Sequence, residues 1–180
     1  MRIILGIDPG TQVTGYGLIQ IEGRKMSLVG CGVIKMGRQQ VTHPEKLKRI
    51  FNRVSSIIQE FKPTEMALEA PFHGKNVQAM LKLGRAQGVA MAAGLVHDLP
   101  IFEYAPRKVK MAVTRNGSAS KEMVAGMLEK VLNFSQGKYL DATDGLAVAV
   151  CHFYQDNAIG GGKSYGSWND FIKDNPDKLR

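Results

Sequence analysis

Residues 1–10 read Met1-Arg2-Ile3-Ile4-Leu5-Gly6-Ile7-Asp8-Pro9-Gly10, a nearly continuous apolar run stopped by an acid and a Pro-Gly turn. A short run without polar alternation is the pattern of a strand buried on both faces, and Asp8-Pro9-Gly10 predicts where it ends. Two further strand-like runs follow, from Thr14 to Ile21 and from Met26 to Ile34, joined through Glu22-Gly23-Arg24. Glycine in that junction predicts a hairpin, so the first three strands are expected to form an antiparallel meander. Thr42-His43-Pro44-Glu45 then has the form of a capping box with proline in the first turn. Behind it Leu47, Ile50, Phe51, Val54, Ile57, Ile58 and Phe61 recur at helical spacing, predicting an amphipathic helix to about Glu60.

Pro63 closes that helix, and Met66-Ala67-Leu68-Glu69 reads as a brief buried strand ending on an acid. A second helix is expected from about Asn76 to Val96, a fifth strand from Pro100 to Tyr104, and a short helix from Pro106 to about Val113. Ser118 or Ser120 can cap a further helix to Leu132, and Leu140 to Gln155 forms a very apolar last one. Strands, helix, strand, helix, strand and terminal helices make an α/β protein with a mixed five-stranded sheet and helices on both faces, an order that resembles the ribonuclease H-like fold. Residues 1–156 are expected to be one domain. Residues 157–180, beginning around Gly160-Gly161-Gly162-Lys163-Ser164, are expected to be a polar, flexible tail in which Trp168 and Phe171 dock locally.

The 180 residues carry 24 Lys and Arg against 16 Asp and Glu, a formal net charge of +8, which favours a polyanionic partner such as nucleic acid. Cys31 and Cys151 are too few and too far apart for a disulfide framework or a zinc site, which fits a reducing compartment. No apolar stretch reaches membrane-spanning length, and the acid at position 8 interrupts any leader-like run. The expected location is the cytoplasm, with no membrane partner.

The chemistry concentrates in four carboxylates. Asp8 ends the first strand and Glu69 the fourth; if those strands are neighbours, both acids emerge at one sheet edge. Asp141 and Asp144 are three residues apart at the start of the last helix and project from one face. Ala142, Leu146, Ala147, Val148, Ala149 and Val150 surround them with apolar residues, so the helix should be buried and its acids should face a cleft. Uncompensated charges there are costly. An all-oxygen cluster suits a hard divalent cation, Mg²⁺ or Mn²⁺, and a pair of ions can support phosphodiester hydrolysis. Each acid also has a plainer reading, since Asp-Pro-Gly is a common turn and acids favour the first turn of a helix. Gly15 and Gly17 in the second strand serve either a close backbone approach within a twisted strand or a DNA contact. The Asp8-Pro9-Gly10-Thr11 turn is also similar to the phosphate-binding turn of actin-like ATPases, but such proteins need two related lobes and this length supplies one.

With the acids placed, the chain resembles the crossover junction endodeoxyribonucleases, the RuvC-type Holliday junction resolvases, over roughly residues 1–156. The stretches that carry the resemblance are Ile7 to Gly10, Glu69 with Phe72, Leu81 to Ala90, Phe102 to Ala105 with Lys110, and Asp141-Ala142-Thr143-Asp144. Ala70-Pro71 departs from the family pattern. The resemblance implies a metal-dependent endonuclease that nicks opposing strands of a four-way DNA junction in recombination and repair. Its metal-binding acids fall on Asp8, Glu69, Asp141 and Asp144, and its basic residues on Lys110 and Lys121. It implies a homodimer, a preferred DNA sequence and a branch-migration helicase complex as partner. Phe72 would wedge against a base at the junction centre, or else fill the core.

Lys75, Lys82, Arg85, Arg107, Lys108, Lys110, Arg115 and Lys121 cluster between the second and third acids. They read as phosphate contacts that position DNA without reading its bases, or as a solvated face. Gly84, Gly88 and Ala92 form a small-residue stripe on the second helix, with Leu81, Leu83, Val89 and Met91 adding apolar area. The stripe sits either on the sheet or, as the resemblance implies, at a two-fold dimer interface. His43, His73, His97 and His152 show no metal-ligand spacing and are expected at the surface or in packing.

Overall fold

The computed structural model describes residues 2–37, 41–71, 76–134 and 140–160. Three strands, β1 (Arg2–Asp8), β2 (Val13–Glu22) and β3 (Lys25–Lys35), form the meander, with Gly23 in a left-handed conformation (φ 62°) turning the second hairpin. The chain continues through α1 (His43–Phe61), β4 (Glu65–Glu69), α2 (Val77–Val96), β5 (Ile101–Tyr104), α3 (Pro106–Thr114), α4 (Lys121–Leu132) and α5 (Leu140–Gly160). The sheet order is β3-β2-β1-β4-β5, with β4 parallel to both β1 and β5. The central strand is therefore β1, which is why its sequence is apolar at successive positions.

Local chemistry sets the helix boundaries. Thr42 accepts from the Glu45 backbone while Glu45 accepts from the Thr42 backbone at 2.8 Å, completing the capping box, and Lys62 ends α1 in a left-handed conformation. Asn76 caps α2 through a 3.0 Å bond from Ala79. Ser120, not Ser118, caps α4, accepting from Met123 at 3.3 Å.

Alternate residues of the strands feed two cores. Leu5, Ile7, Met66 and Leu68 pack against α1 and α2, whereas Ile4 and Ala67 face α3, α4 and α5. Among the described residues, α5 lies against the sheet through glycine. A Cβ built on Gly6 would stand 2.2 Å from the Gly145 carbonyl oxygen, one on Gly15 2.2 Å from that of Asp141, and one on Gly17 2.4 Å from the Leu146 Cα. The DNA-contact reading of Gly15 and Gly17 is thereby corrected: the backbone that approaches them belongs to α5. Farther along, a polar network holds α5 in register. Buried His152 hydrogen-bonds the Tyr104 hydroxyl through Nδ1 at 2.7 Å and donates through Nε2 to Glu65 at 2.8 Å. Arg2 pairs with Glu65 and, at 2.8 Å, with Asp156. Burial opposes ionisation of Glu65, but hydrogen bonds from His152 and Arg2 prevail and pull its pKa down to about 2. No helix among the described residues is long and apolar enough to cross a membrane.

Candidate active site

Ile7 of β1 is paired with Leu68 of β4, so the next residues, Asp8 and Glu69, end neighbouring parallel strands side by side. Both lie on the α5 side of the sheet, because Gly6 and Ala67, two residues earlier, face that way. The glycine contacts bring the first turns of α5 against the same edge, delivering Asp144. A cavity of about 130 Å³ results, lined by Asp8, Glu69, Lys110, Lys121 and Asp144 with Val109, Val124 and Ala147 as its apolar wall.

Three of the four acids line this cavity, and Asp141 does not. Its side chain is 57% exposed against 16% for Asp144, which corrects the expectation that both helix acids point into a cleft. Asp141 lies in the first turn of α5, where its backbone packs against Gly15 of the sheet while its exposed side chain stays outside the cavity. Lys121, the first residue of α4, ties the two together, donating to Asp144 at 2.6 Å and lying 3.7 Å from Asp141.

The acids perturb one another. Burial, then the Asp144 charge, pushes Asp8 up to about 6, against the pull of Lys121. Burial, then Asp8 and Asp144, pushes Glu69 up to about 8, opposed by Lys121 and Lys110. Asp144 is also raised, by burial above all, despite its bond to Lys121. Carboxylates crowded against an apolar wall with too little positive charge are what a divalent cation relieves, and oxygen-only donors suit Mg²⁺ or Mn²⁺. Among the described residues no three His, Cys, Asp or Glu side chains are grouped around a single ion position, and Lys121 holds Asp144.

Other expected residues fall in several places. Lys110 and Lys121 share the acid-lined cavity. Arg85 is exposed beside Val77, Met80, Leu81 and Gly84 on the outer face of α2. On that face Val77 is 65% and Leu81 50% exposed, a Cβ on Gly84 or Gly88 would meet nothing within 4 Å, and Ala92 is exposed. The stripe therefore does not sit on the sheet. Val89 and Met91 turn inward onto the core and Leu83 lines a small cavity beside Asp8, so these three do not extend the outer face as expected. Phe72, Lys75 and His73 lie outside the described residues, as does the tail beyond Gly160. Helix α5 itself continues past residue 156. Lys108 stands over the Tyr104 ring, 5.3 Å from its centre, and Arg107 packs against Gly117.

Sequence reasoning passed over Gln87. It is a buried amide that donates to Glu103 at 2.6 Å and lines the small cavity shared by Asp8, Glu69 and Leu83. Its burial on an otherwise small-residue helix is a signal only once the partner strand is known.

Residues 4–152 match the family model described as crossover junction endodeoxyribonuclease RuvC. The chain is 57% identical over 180 residues to the crossover junction endodeoxyribonuclease RuvC of Cytophaga hutchinsonii, covering 99% of this chain and 88% of that one. It is similar to Thermus thermophilus RuvC solved in complex with Holliday junction substrate, at 29% identity and a TM-score of 0.80, over 88% of this chain and 96% of that one. The yeast mitochondrial Holliday junction resolvase, at 11% identity with a TM-score of 0.68 over 95% and 83% of the two chains, shares the fold.

Proposed function

The chain belongs to the RuvC family of crossover junction endodeoxyribonucleases and is a Holliday junction resolving endonuclease, and we propose that Asp8, Glu69, Asp141 and Asp144 form its metal site. The observation that supports the site is the meeting of Asp8, Glu69 and Asp144 in one cavity whose electrostatics disfavour three free carboxylates. Mg²⁺ is the occupant in this reading, with Mn²⁺ as a substitute and two ions per site. A bound divalent cation supplies an activated water and neutralises charge at the phosphate being cut.

The side chains of this chain do the remaining work. Asp8 and Glu69, fixed by paired strands, and Asp144, fixed by the glycine-packed helix, set the position of the oxygen donors. Asp141 at the mouth completes the donor set once Lys121 moves away. Lys110 and Lys121 offer ammonium groups to phosphate oxygens entering the cavity, while Val109, Val124 and Ala147 form its apolar inner wall. Arg85, Lys75 and Phe72 are assigned to the DNA face, Phe72 by stacking on a base.

The outer face of α2, with Gly84, Gly88 and Ala92, is assigned to a homodimer interface, since two sites on a two-fold axis can reach equivalent phosphates on opposing strands. The branch-migration helicase complex rests on the family resemblance alone. The functional test is to offer the protein a synthetic four-way junction and a matched linear duplex, each with Mg²⁺ or with chelator. Paired nicks confined to the junction and to Mg²⁺ are expected; equal cutting of the duplex, or cutting in chelator, contradicts the reading.

A further inference from the structure

The loop between β1 and β2 carries the chain from Asp8 into a second cavity. This one is about 360 Å³ and is lined chiefly by Thr11, Gln12, His43, Lys46, Asn76 and Lys82. Among the described residues its lining contains no carboxylate, the opposite of the acid-lined cavity only a few residues away along the loop. Apart from Val41 and Ala79, the lining side chains are ammonium, amide, hydroxyl and imidazole groups, all able to donate hydrogen bonds. Lys46 donates to Gln12 at 3.1 Å, which holds it over the loop. The Nε2 of His43 is buried and has no hydrogen-bond partner among the described residues. Burial holds the imidazole below its ordinary pKa, and the charges of Arg85, Lys82 and Lys46 act in the same direction. Two lysines lining one cavity beside an imidazole suit an anionic ligand.

A smaller cavity lined by Asp8, Pro9, Glu69, Leu83 and Gln87 shares the two acids with the acid-lined one, and its Leu83 follows Lys82 of the cationic cavity on α2. A polyanionic strand bound at Asp8 and Glu69 must place its neighbouring charges, and the lining of the cationic cavity begins at Thr11, a short step along the loop from Asp8.

We propose that the cavity formed by Gln12, His43, Lys46 and Lys82 is a seat for a backbone phosphate of the junction strand adjoining the one cut at the acids. The proposal rests on the junction-endonuclease reading. Lys46 and Lys82 neutralise the phosphate, and His43 and Gln12 donate hydrogen bonds to its oxygens. The seat sets the register of the strand, since phosphate contacts position a nucleic acid without reading its bases.

The test uses the whole protein in chelator, so that a synthetic four-way junction binds without being cut, with affinity read by fluorescence anisotropy against salt. The Lys46→Met/Lys82→Met double variant should give a salt slope shallower by about 0.9, so that it loses about 3.5-fold less affinity than wild type between about 50 and 200 mM salt. Lys48→Met, two residues along α1 and exposed outside the cavity, should keep the wild-type slope. The double Arg variant should restore it. Junctions carrying a single neutral methylphosphonate, walked along the strand, should reveal a position that weakens wild type but leaves the double Met variant unaffected. A double Met variant with the wild-type slope, or one that retains the effect of every methylphosphonate, overturns the seat. If wild type neither binds the junction nor nicks it once Mg²⁺ is restored, the functional reading fails as well.

Discussion

Gly15→Ala tests how the fold builds the site. Gly15 lies opposite Asp8 in the β1–β2 ladder, and a Cβ there would be 2.2 Å from the Asp141 carbonyl oxygen and 3.3 Å from the Gly145 nitrogen. Ordinary contact begins near 3.4 Å, so the first turn of α5 must withdraw by about 1.2 Å or the strand must bend away. Neither neighbour is a flexible side-chain tip that can swing aside; both are helix backbone. Overpacking of this kind costs about 1–3 kcal/mol, which for a chain of this size lowers Tm by roughly 2–12 °C. The larger effect falls on catalysis, because Asp141 and Asp144 move relative to Asp8 and Glu69, and a misplacement near 1 Å costs on the order of 100-fold in rate. Single-turnover cleavage of a four-way junction, with junction binding measured in chelator, separates the two consequences: cleavage falls and binding holds. Gly30→Ala is the control, since a Cβ there meets nothing within 4 Å. A Gly15→Ala protein with wild-type Tm and cleavage rate would refute the argument that glycine contact sets the position of the helix acids.

Three further outcomes follow from the same geometry. Asp8 and Glu69 have folded pKa values raised to about 6 and about 8, so the native state holds extra protons. The metal-free protein should therefore lose stability as pH rises through that window, and urea denaturation across pH should show Mg²⁺ or Asp8→Asn reducing the slope. Glu65, depressed to about 2, acts in the other direction, its contribution disappearing only as pH falls below the ordinary carboxylate range. Lys121→Met removes the ammonium bonded to Asp144, so calorimetry without DNA should show Mn²⁺ binding several-fold tighter even though cleavage drops; weaker binding would show that Lys121 does not compete with the cation. Gly88→Leu adds bulk where the monomer has open space, so Tm of the monomer should hold while sedimentation shows loss of dimer and junctions accumulate single nicks.

Features governed by neighbours in sequence were legible before the structure. The apolar run of β1, the Thr42–Glu45 capping box and the proline openings of helices are local signals, and the elements they predict are present. Asp8 and Glu69 could be paired because each ends a recognisable strand. What depended on distant partners could not be read. Gly15 and Gly17 announced a close approach but not that α5 would make it. The helical spacing at 140–150 placed Asp141 and Asp144 on one face without showing that Asp144 lines the cavity and Asp141 does not. Val89 and Met91 belonged to an apolar helix whose facing direction was fixed only by packing on the sheet and α1. The cationic cavity draws on residues 11–12, 43–46 and 76–82, and no local pattern joins them.

The account turns on whether the acids at the sheet edge hold the cation used for cutting. Single-turnover cleavage of one synthetic four-way junction by wild type, Asp8→Asn, Glu69→Gln and Asp144→Asn, over a Mg²⁺ titration and with junction binding measured in the same samples, tests it most directly. Loss of cleavage at every Mg²⁺ concentration, with binding retained in all three variants, is the predicted result. Cleavage at the wild-type rate in any of them would contradict it.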